Sequence, residues 1–167
     1  MAREFEVSDS IVIAVDPAMA YDAVSDVRQM GRWSPENRGA VVKDGFDHAY
    51  AGMRFVGDNK RGWIRWQTEC VVTVAEPGNR FAFDVRRYGF GRFMVPVRIA
   101  SWAYDFEPVD GGMRVTETWS DGRTGWPDFT ARVFDPIATG KPSFAEFQKG
   151  NIRRTLANLK TELESVA

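Results

Sequence analysis

Glu117 stands between Val115 and Trp119 on what reads as the apolar side of a strand, Val115-Thr116-Glu117-Thr118-Trp119. A carboxylate in such a place must be paired, hydrogen-bonded, or raised in pKa by loss of water, and a raised one can act as a general base or grip a ligand hydroxyl. Two readings involve no chemistry: a strand-end bulge that turns Glu117 outward, or pairing with an arginine such as Arg65. Asn59 offers an amide that both donates and accepts and so suits a carbonyl oxygen. It also adjoins the Lys60-Arg61-Gly62 turn, which explains an asparagine more simply. Tyr104 carries a hydroxyl at the end of an apolar ring, a handle for a phenolic or keto ligand or for a structural partner.

His48 is the single histidine and Cys70 the single cysteine. No triad, His-based metal cluster or thiolate zinc site can be built from one of each, so neither metal hydrolysis nor Cys-His catalysis is expected, and no metal or cofactor is called for. His48 reads as a strand-end or surface residue, with a general-base role at a cavity mouth as the alternative. Gly89 and Gly91 do not make a nucleotide loop, because no helix follows to receive a phosphate. Around them, Arg86, Arg87, Arg92 and Arg98 ring an apolar hairpin over 88–97. A solvated hairpin with snorkelling arginines is the plainer reading, and contact with an anionic surface or a ligand carboxylate is the other.

The chain around these residues has 167 positions, enough for one core, and a single domain over 1–167 is expected. With 22 Lys and Arg against 23 Asp and Glu the net charge is −1, which removes the drive toward nucleic acid. Charges or prolines interrupt every apolar run, so no membrane-spanning segment is expected. The lone Cys70 and the start Met1-Ala2-Arg3-Glu4 support neither disulfide stapling nor export, which makes the cytoplasm the expected location. Aromatic residues reach 13%, more ring surface than a plain core requires, and some of it is expected to line a cavity.

The elements that must position the candidates follow from periodicity. Phe5, Val7, Ile11, Ile13 and Val15 alternate as a half-buried strand, with Asp9 the exception. Asp16-Pro17 caps a short helix to about Val27, and Met30-Gly31-Arg32-Trp33-Ser34-Pro35-Glu36 reads as a second short helix or turn. Strands are expected near 40–47, 52–60, 63–75, 80–88 and 97–107, followed by one over 113–119 across the tight turn Asp110-Gly111-Gly112. Residues 120–142 read as a long, partly helical connection of the kind that serves as a lid. Ser143-Phe144-Ala145-Glu146 opens a final helix of about 22 residues, with Phe144, Phe147, Ile152, Leu156, Leu159 and Leu163 on one stripe.

This order, with Val15-Asp16-Pro17, Met30 to Glu36, Phe55-Val56-Gly57-Asp58-Asn59, Glu76-Pro77-Gly78-Asn79-Arg80-Phe81-Ala82-Phe83 and Val115 to Trp119 in sequence, resembles the START-like or SRPBCC superfamily, in its polyketide cyclase/dehydrase-like branch. The resemblance implies an α+β helix-grip fold: a curved antiparallel sheet of about seven strands wrapped on a long C-terminal helix, with two short helices after the first strand. It also implies a cavity between helix and sheet that opens toward the loops. Strand parity then turns Phe55, Gly57, Asn59, Trp66, Thr68, Cys70 and Val72 inward. The same rule turns in Phe81, Phe83 and Val85, then Trp102, Tyr104 and Phe106, then Val115, Glu117 and Trp119. Trp33 is expected to plug one cavity end, and Trp126 and Phe129, in the lid, to contact a ligand or anchor the loop.

The first functional expectation is binding of an apolar or amphipathic small molecule, lipid- or polyketide-like, in that cavity. Whether a reaction follows is open. If it does, Glu117 or His48 would take a proton α to a carbonyl, and Asn59, Tyr104 or Arg65 would steady the enolate, as in a cyclase/dehydrase. A third expectation is an interaction module whose 88–97 hairpin docks a partner or a second copy as a homodimer.

Overall fold

A computed structural model describes residues 2–167, and among these the chain forms eight strands and three α-helices. β1 (Glu6–Ile13) leads into α1 (Pro17–Ser25), then a 3₁₀ helix (Val27–Arg32). Next come β2 (Asn37–Val42), β3 (Arg54–Arg61), β4 (Ile64–Glu76) and β5 (Arg80–Phe90). β6 (Phe93–Val95), β7 (Ala100–Val109) and β8 (Gly112–Asp121) complete the sheet, and α2 (Asp128–Thr139) and α3 (Phe144–Val166) close the chain. The sheet is antiparallel in the order β1-β8-β7-β5-β4-β3-β2, with the short β6 paired to the far end of β5. This is the α+β helix-grip architecture, with eight strands where about seven are expected.

Local chemistry explains the boundaries. Asp16 caps α1 by accepting from the Ala18 N–H at 2.9 Å, with Pro17 at the first helical position. Ser143 caps α3 by accepting from the Glu146 N–H at 3.1 Å. The Asp110-Gly111 turn joins β7 to β8 with Val109 opposite Gly112, and Gly111 takes a φ of 90° that a side chain would resist. Gly89 is needed for another reason: a Cβ there would stand 1.8 Å from the Phe93 carbonyl oxygen, so glycine lets β6 fold back on β5.

α3 lies across the concave face and is held along both flanks. Toward β1, Lys149 pairs with Glu4 at 2.8 Å, the Lys160 ammonium donates to the Val12 carbonyl, and the Ala14 N–H donates to Glu164. Toward the other edge, Asn158 donates to the Trp33 carbonyl at 2.9 Å and Arg32 pairs with Glu162 at 2.8 Å. Between these clamps Ile152, Leu156, Leu159 and Leu163 face the rings of the sheet in one core.

The lid expected over 120–142 is pinned at both ends rather than loose. Arg123, 4% exposed, bonds both oxygens of Asp121, at 2.9 and 2.8 Å, and reaches Asp135 of α2 at 2.7 Å. Arg3 adds a second cation on Asp121 at 2.7 Å, and Asp135 also accepts from the Phe144 N–H. Stacked rings seal this network, with Arg123 over Phe144, and Phe144 between Trp119 and Phe134. Removing one partner from a buried network leaves uncompensated charge, so Arg123→Ala is expected to lower unfolding stability by roughly 3–5 kcal/mol. Urea denaturation checks this, and a loss below about 1 kcal/mol would place the network's energy elsewhere.

Candidate functional site

The β7–β8 register sets Tyr104 directly opposite Glu117 on the concave side, without a bulge. The Tyr104 hydroxyl donates to Glu117 Oε1 at 2.8 Å. Glu117 is 2% exposed, and its second oxygen, Oε2, has no hydrogen-bond partner among the described residues. Burial raises the Glu117 pKa to about 8, although the Tyr104 hydroxyl pulls it back down. Tyr104 in turn is held well above its usual range by burial and then by the charge of Glu117. Near neutral pH the carboxyl is therefore mainly protonated. The pair presents a neutral acid that can donate a hydrogen bond from deep inside an apolar layer.

Glu117 thus neither turns outward nor meets Arg65, which is exposed and lies opposite Lys60. Its neighbour on β1 is Asp9, but that side chain is open to solvent and faces Arg153 at 3.5 Å.

The expected lining residues are gathered under α3, but as packed core. Trp33, Phe55, Phe81 and Trp119 are all 0–1% exposed, Phe83 is buried, and Trp102 is half-buried. Phe83 stands edge-on to Phe55 at 5.2 Å and tilts against Phe81 at 5.9 Å. A void able to hold even a water would expose these rings, so no such space borders Trp33, Phe55, Phe81 or Trp119. Two hollows lie outside the grip. One of about 470 Å³ follows the seam of β1 and α3 over Val7, Asp9 and Ile152, and one of about 230 Å³ lies beside Ala82, Ser101 and Thr118.

A second polar cluster sits where β2, β3 and β4 meet the start of α3. Asn59 is on β3 and faces inward, as strand parity expects. Its amide donates to Thr68 Oγ1 at 3.2 Å and to the Gly57 carbonyl at 3.3 Å, while its oxygen accepts from Asn37 at 3.4 Å. A side chain at Gly57 would press on Asn37 and Thr68, so glycine makes room for this network. Arg61 pairs with Glu36 at 2.5 Å, donates to the Ala138 carbonyl of α2, and stacks over Phe147 at 4.2 Å and Trp66 at 5.3 Å. Buried Asn151 donates to Gln148 at 3.2 Å and to Glu36 at 3.5 Å, leaving its own oxygen without a partner among the described residues.

Tyr88, 6.4 Å from Trp66, joins this cluster although parity with Phe81, Phe83 and Val85 would turn it outward. The pairing of β5 with β4 shifts between Glu69↔Arg87 and Cys70↔Val85, and that bulge moves Tyr88 to the side of Thr68. Alternation alone could not reveal it.

Two expected site residues lie elsewhere. His48 is in the loop between β2 and β3, as the surface reading expects, with its side chain 79% exposed and Asp47 at 3.5 Å, so it has no place at the grip. β2 ends at Val42 instead of reaching 47, because Asp44 and Gly45 break it. Phe129 lies on the outer face of α2, and Trp126 packs edge-on against Phe134 and anchors the connection. Arg61, Glu36, Asn151 and the Arg123 network were not singled out from sequence, since their partners are distant along the chain.

The family model described as "polyketide cyclase / dehydrase and lipid transport" matches residues 4–164. No curated protein matches the chain. Among solved structures, a polyketide-cyclase-like protein of Corynebacterium glutamicum is 28% identical, with a TM-score of 0.59 over 98% of this chain and 94% of that one. A START superfamily protein of Mycobacterium smegmatis reaches a TM-score of 0.70 at 10% identity, covering 98% of this chain and 100% of that one. The di-domain aromatase/cyclase StfQ of the steffimycin biosynthetic pathway gives 0.62 at 13% identity, over 96% of this chain and 51% of its own. The last two bear on the fold alone.

The state of Glu117 makes a direct prediction. Unfolded, it releases its proton near 4.5, and folded near 8. Between those values the native state keeps a proton the unfolded chain has lost, so this contribution is complete below the window and gone above it. Stability is expected to fall as pH rises from about 4.5 to 8, by at most about 1.4 kcal/mol per pH unit. Glu117→Gln should flatten that slope in denaturant titrations. A slope identical to wild type would show that Glu117 titrates normally.

Proposed function

The chain belongs to the polyketide cyclase/dehydrase and lipid transport family, and from that membership we propose that its grip takes up an apolar or amphipathic small molecule, with Glu117 and Tyr104 as the deep polar anchor. The observation that carries the reading is the unpartnered Glu117 Oε2. A leucine or methionine would pack at that position without desolvation cost, whereas a carboxyl with an idle oxygen costs about 1–3 kcal/mol. A ligand hydroxyl or carbonyl bound there would end that penalty, and so gain affinity from the protein's own frustration.

The remaining grip suits the same ligand class. Phe55, Phe81, Phe83 and Trp119 supply apolar contact once their packing yields, and the Asn59, Thr68 and Arg61 cluster receives a polar end near α2. Uptake then exchanges ring-on-ring contacts for ring-on-ligand contacts, which keeps the cost of opening small.

A second reading is favoured by one observation, the Glu117 pKa of about 8, because a group that titrates near working pH can both take and return a proton. In an aldol cyclisation the ionised Glu117 would remove a proton α to a carbonyl, with Tyr104 donating to the enolate oxygen. The enolate carbon would attack a second carbonyl of the same chain, and the new alkoxide would take the proton back from Glu117. Loss of water would follow as a separate step.

Native mass spectrometry with denaturing extraction tests the binding reading. Wild type is expected to carry an apolar or amphipathic small molecule from the cell, and a folded Glu117→Gln variant to carry less or a different one. Bare polypeptide mass, together with no thermal shift on adding fatty acids or aromatic polyketides, would rule out the grip as a binding site. Turnover of a poly-keto substrate by wild type and not by Glu117→Gln would establish the second reading.

A further inference from the structure

The end of the sheet away from α1 carries apolar side chains that the core does not use. Trp63, at the β3–β4 turn, is 90% exposed, and Phe93, at the β5–β6 turn, is 83% exposed. Phe129 and Ile137, on the outer face of α2, are 77% and 82% exposed. The three projections share one end: Arg61 lies opposite Ile64, Gln67 opposite Gly89 and Phe90 opposite Phe93, while Arg61 donates to the Ala138 carbonyl of α2.

The charge at this end is as uneven as its polarity. Residues 60–65 hold three basic side chains and 86–98 hold four, with no Asp or Glu in either stretch, in a chain of net charge −1. Asp84 neutralises part of this by meeting Arg86 at 3.0 Å and Arg98 at 2.6 Å, and Glu36 takes Arg61. Lys60, Arg65, Arg87 and Arg92 have no carboxylate partner among the described residues.

We propose that this end docks on the surface of an anionic lipid bilayer, with the Trp63, Phe93 and α2 side chains entering the headgroup layer and the unpaired cations meeting lipid phosphates. Exposed rings beside unpaired cations match the two attractions such a surface supplies, apolar burial and charge. A bilayer also fits the relief. Three separate projections would require three matching pits on a rigid protein, whereas lipid closes around each independently. The proposal goes beyond the binding reading and does not depend on the grip's being occupied.

Co-sedimentation with vesicles of phosphatidylglycerol and phosphatidylcholine in equal parts tests it, against pure phosphatidylcholine. The full chain is expected to bind the anionic vesicles and to be released by salt. The double variant Arg65→Gln/Arg92→Gln should bind less by about fivefold per cation removed, and Trp63→Ser/Phe93→Ser should lose binding at equal charge. All four side chains are exposed, so thermal unfolding should not move and serves as the folding control. Absence of sedimentation, or binding indifferent to both double variants, overturns the proposal. So does a mass that doubles with concentration in light scattering and reverts in Phe93→Ser, which would assign the surface to a second copy.

Discussion

The concave face of the sheet is lined with rings, and everything else in the fold follows from the need to keep water off them. Each buried ring or large aliphatic chain contributes roughly 2–3 kcal/mol, and the face carries Phe55, Phe81, Phe83, Tyr104, Phe106 and Trp119. α3 supplies the cover, and its stripe of Ile152, Leu156, Leu159 and Leu163 meets the rings. A helix resting on a curved surface can still roll. Polar contacts to β1 along one flank and to the 3₁₀ segment along the other remove that freedom. The hydrophobic term therefore provides the energy, and the flanking contacts provide the register.

Within that layer polar groups are expensive, and the chain handles them in two ways. Arg123, Asp121, Asp135 and Arg3 satisfy one another and fasten α2 and the start of α3 to the sheet. Glu117 is treated differently, with one bond from Tyr104 and one idle oxygen. Its neutral form lowers the cost below that of a buried charge, which is why burial raises its pKa. The first arrangement is structural, every carboxylate in it meeting a guanidinium, although Arg3 Nε has no partner among the described residues. The second is incomplete, and incompleteness inside a tightly packed protein is where ligand chemistry has something to act on.

The packed rings and the exposed apolar end are linked by Arg61, which lies between them. It stacks on Trp66 and Phe147 beside the polar cluster and also holds the last turn of α2. α2 turns Ala131 and Asp135 inward and Phe129 and Ile137 outward, so the helix fastened to Arg123 and Arg61 also forms part of the exposed apolar end.

Repeating patterns made much of this legible from sequence alone. The alternation over Val7 to Val15, the Asp16-Pro17 cap, the Asp110-Gly111 turn and the spacing of Ile152, Leu156, Leu159 and Leu163 are local signals, and each names its element without help from distant residues. Alternation also placed Glu117, Tyr104 and Phe55 on the inner face, because a strand without a bulge keeps its parity. Tertiary structure decided the rest. A bulge at Arg86 turned Tyr88 inward, cross-strand pairing gave Asn59 its partners Thr68 and Asn37, and broken regularity after Val42 left His48 in solvent. Arg123 found Asp135 and Arg61 found Glu36 only through folding, and whether rings enclose a space or fill it depends on packing from every element at once. Periodicity is a property of neighbours along the chain; partners and volumes are properties of the assembled chain.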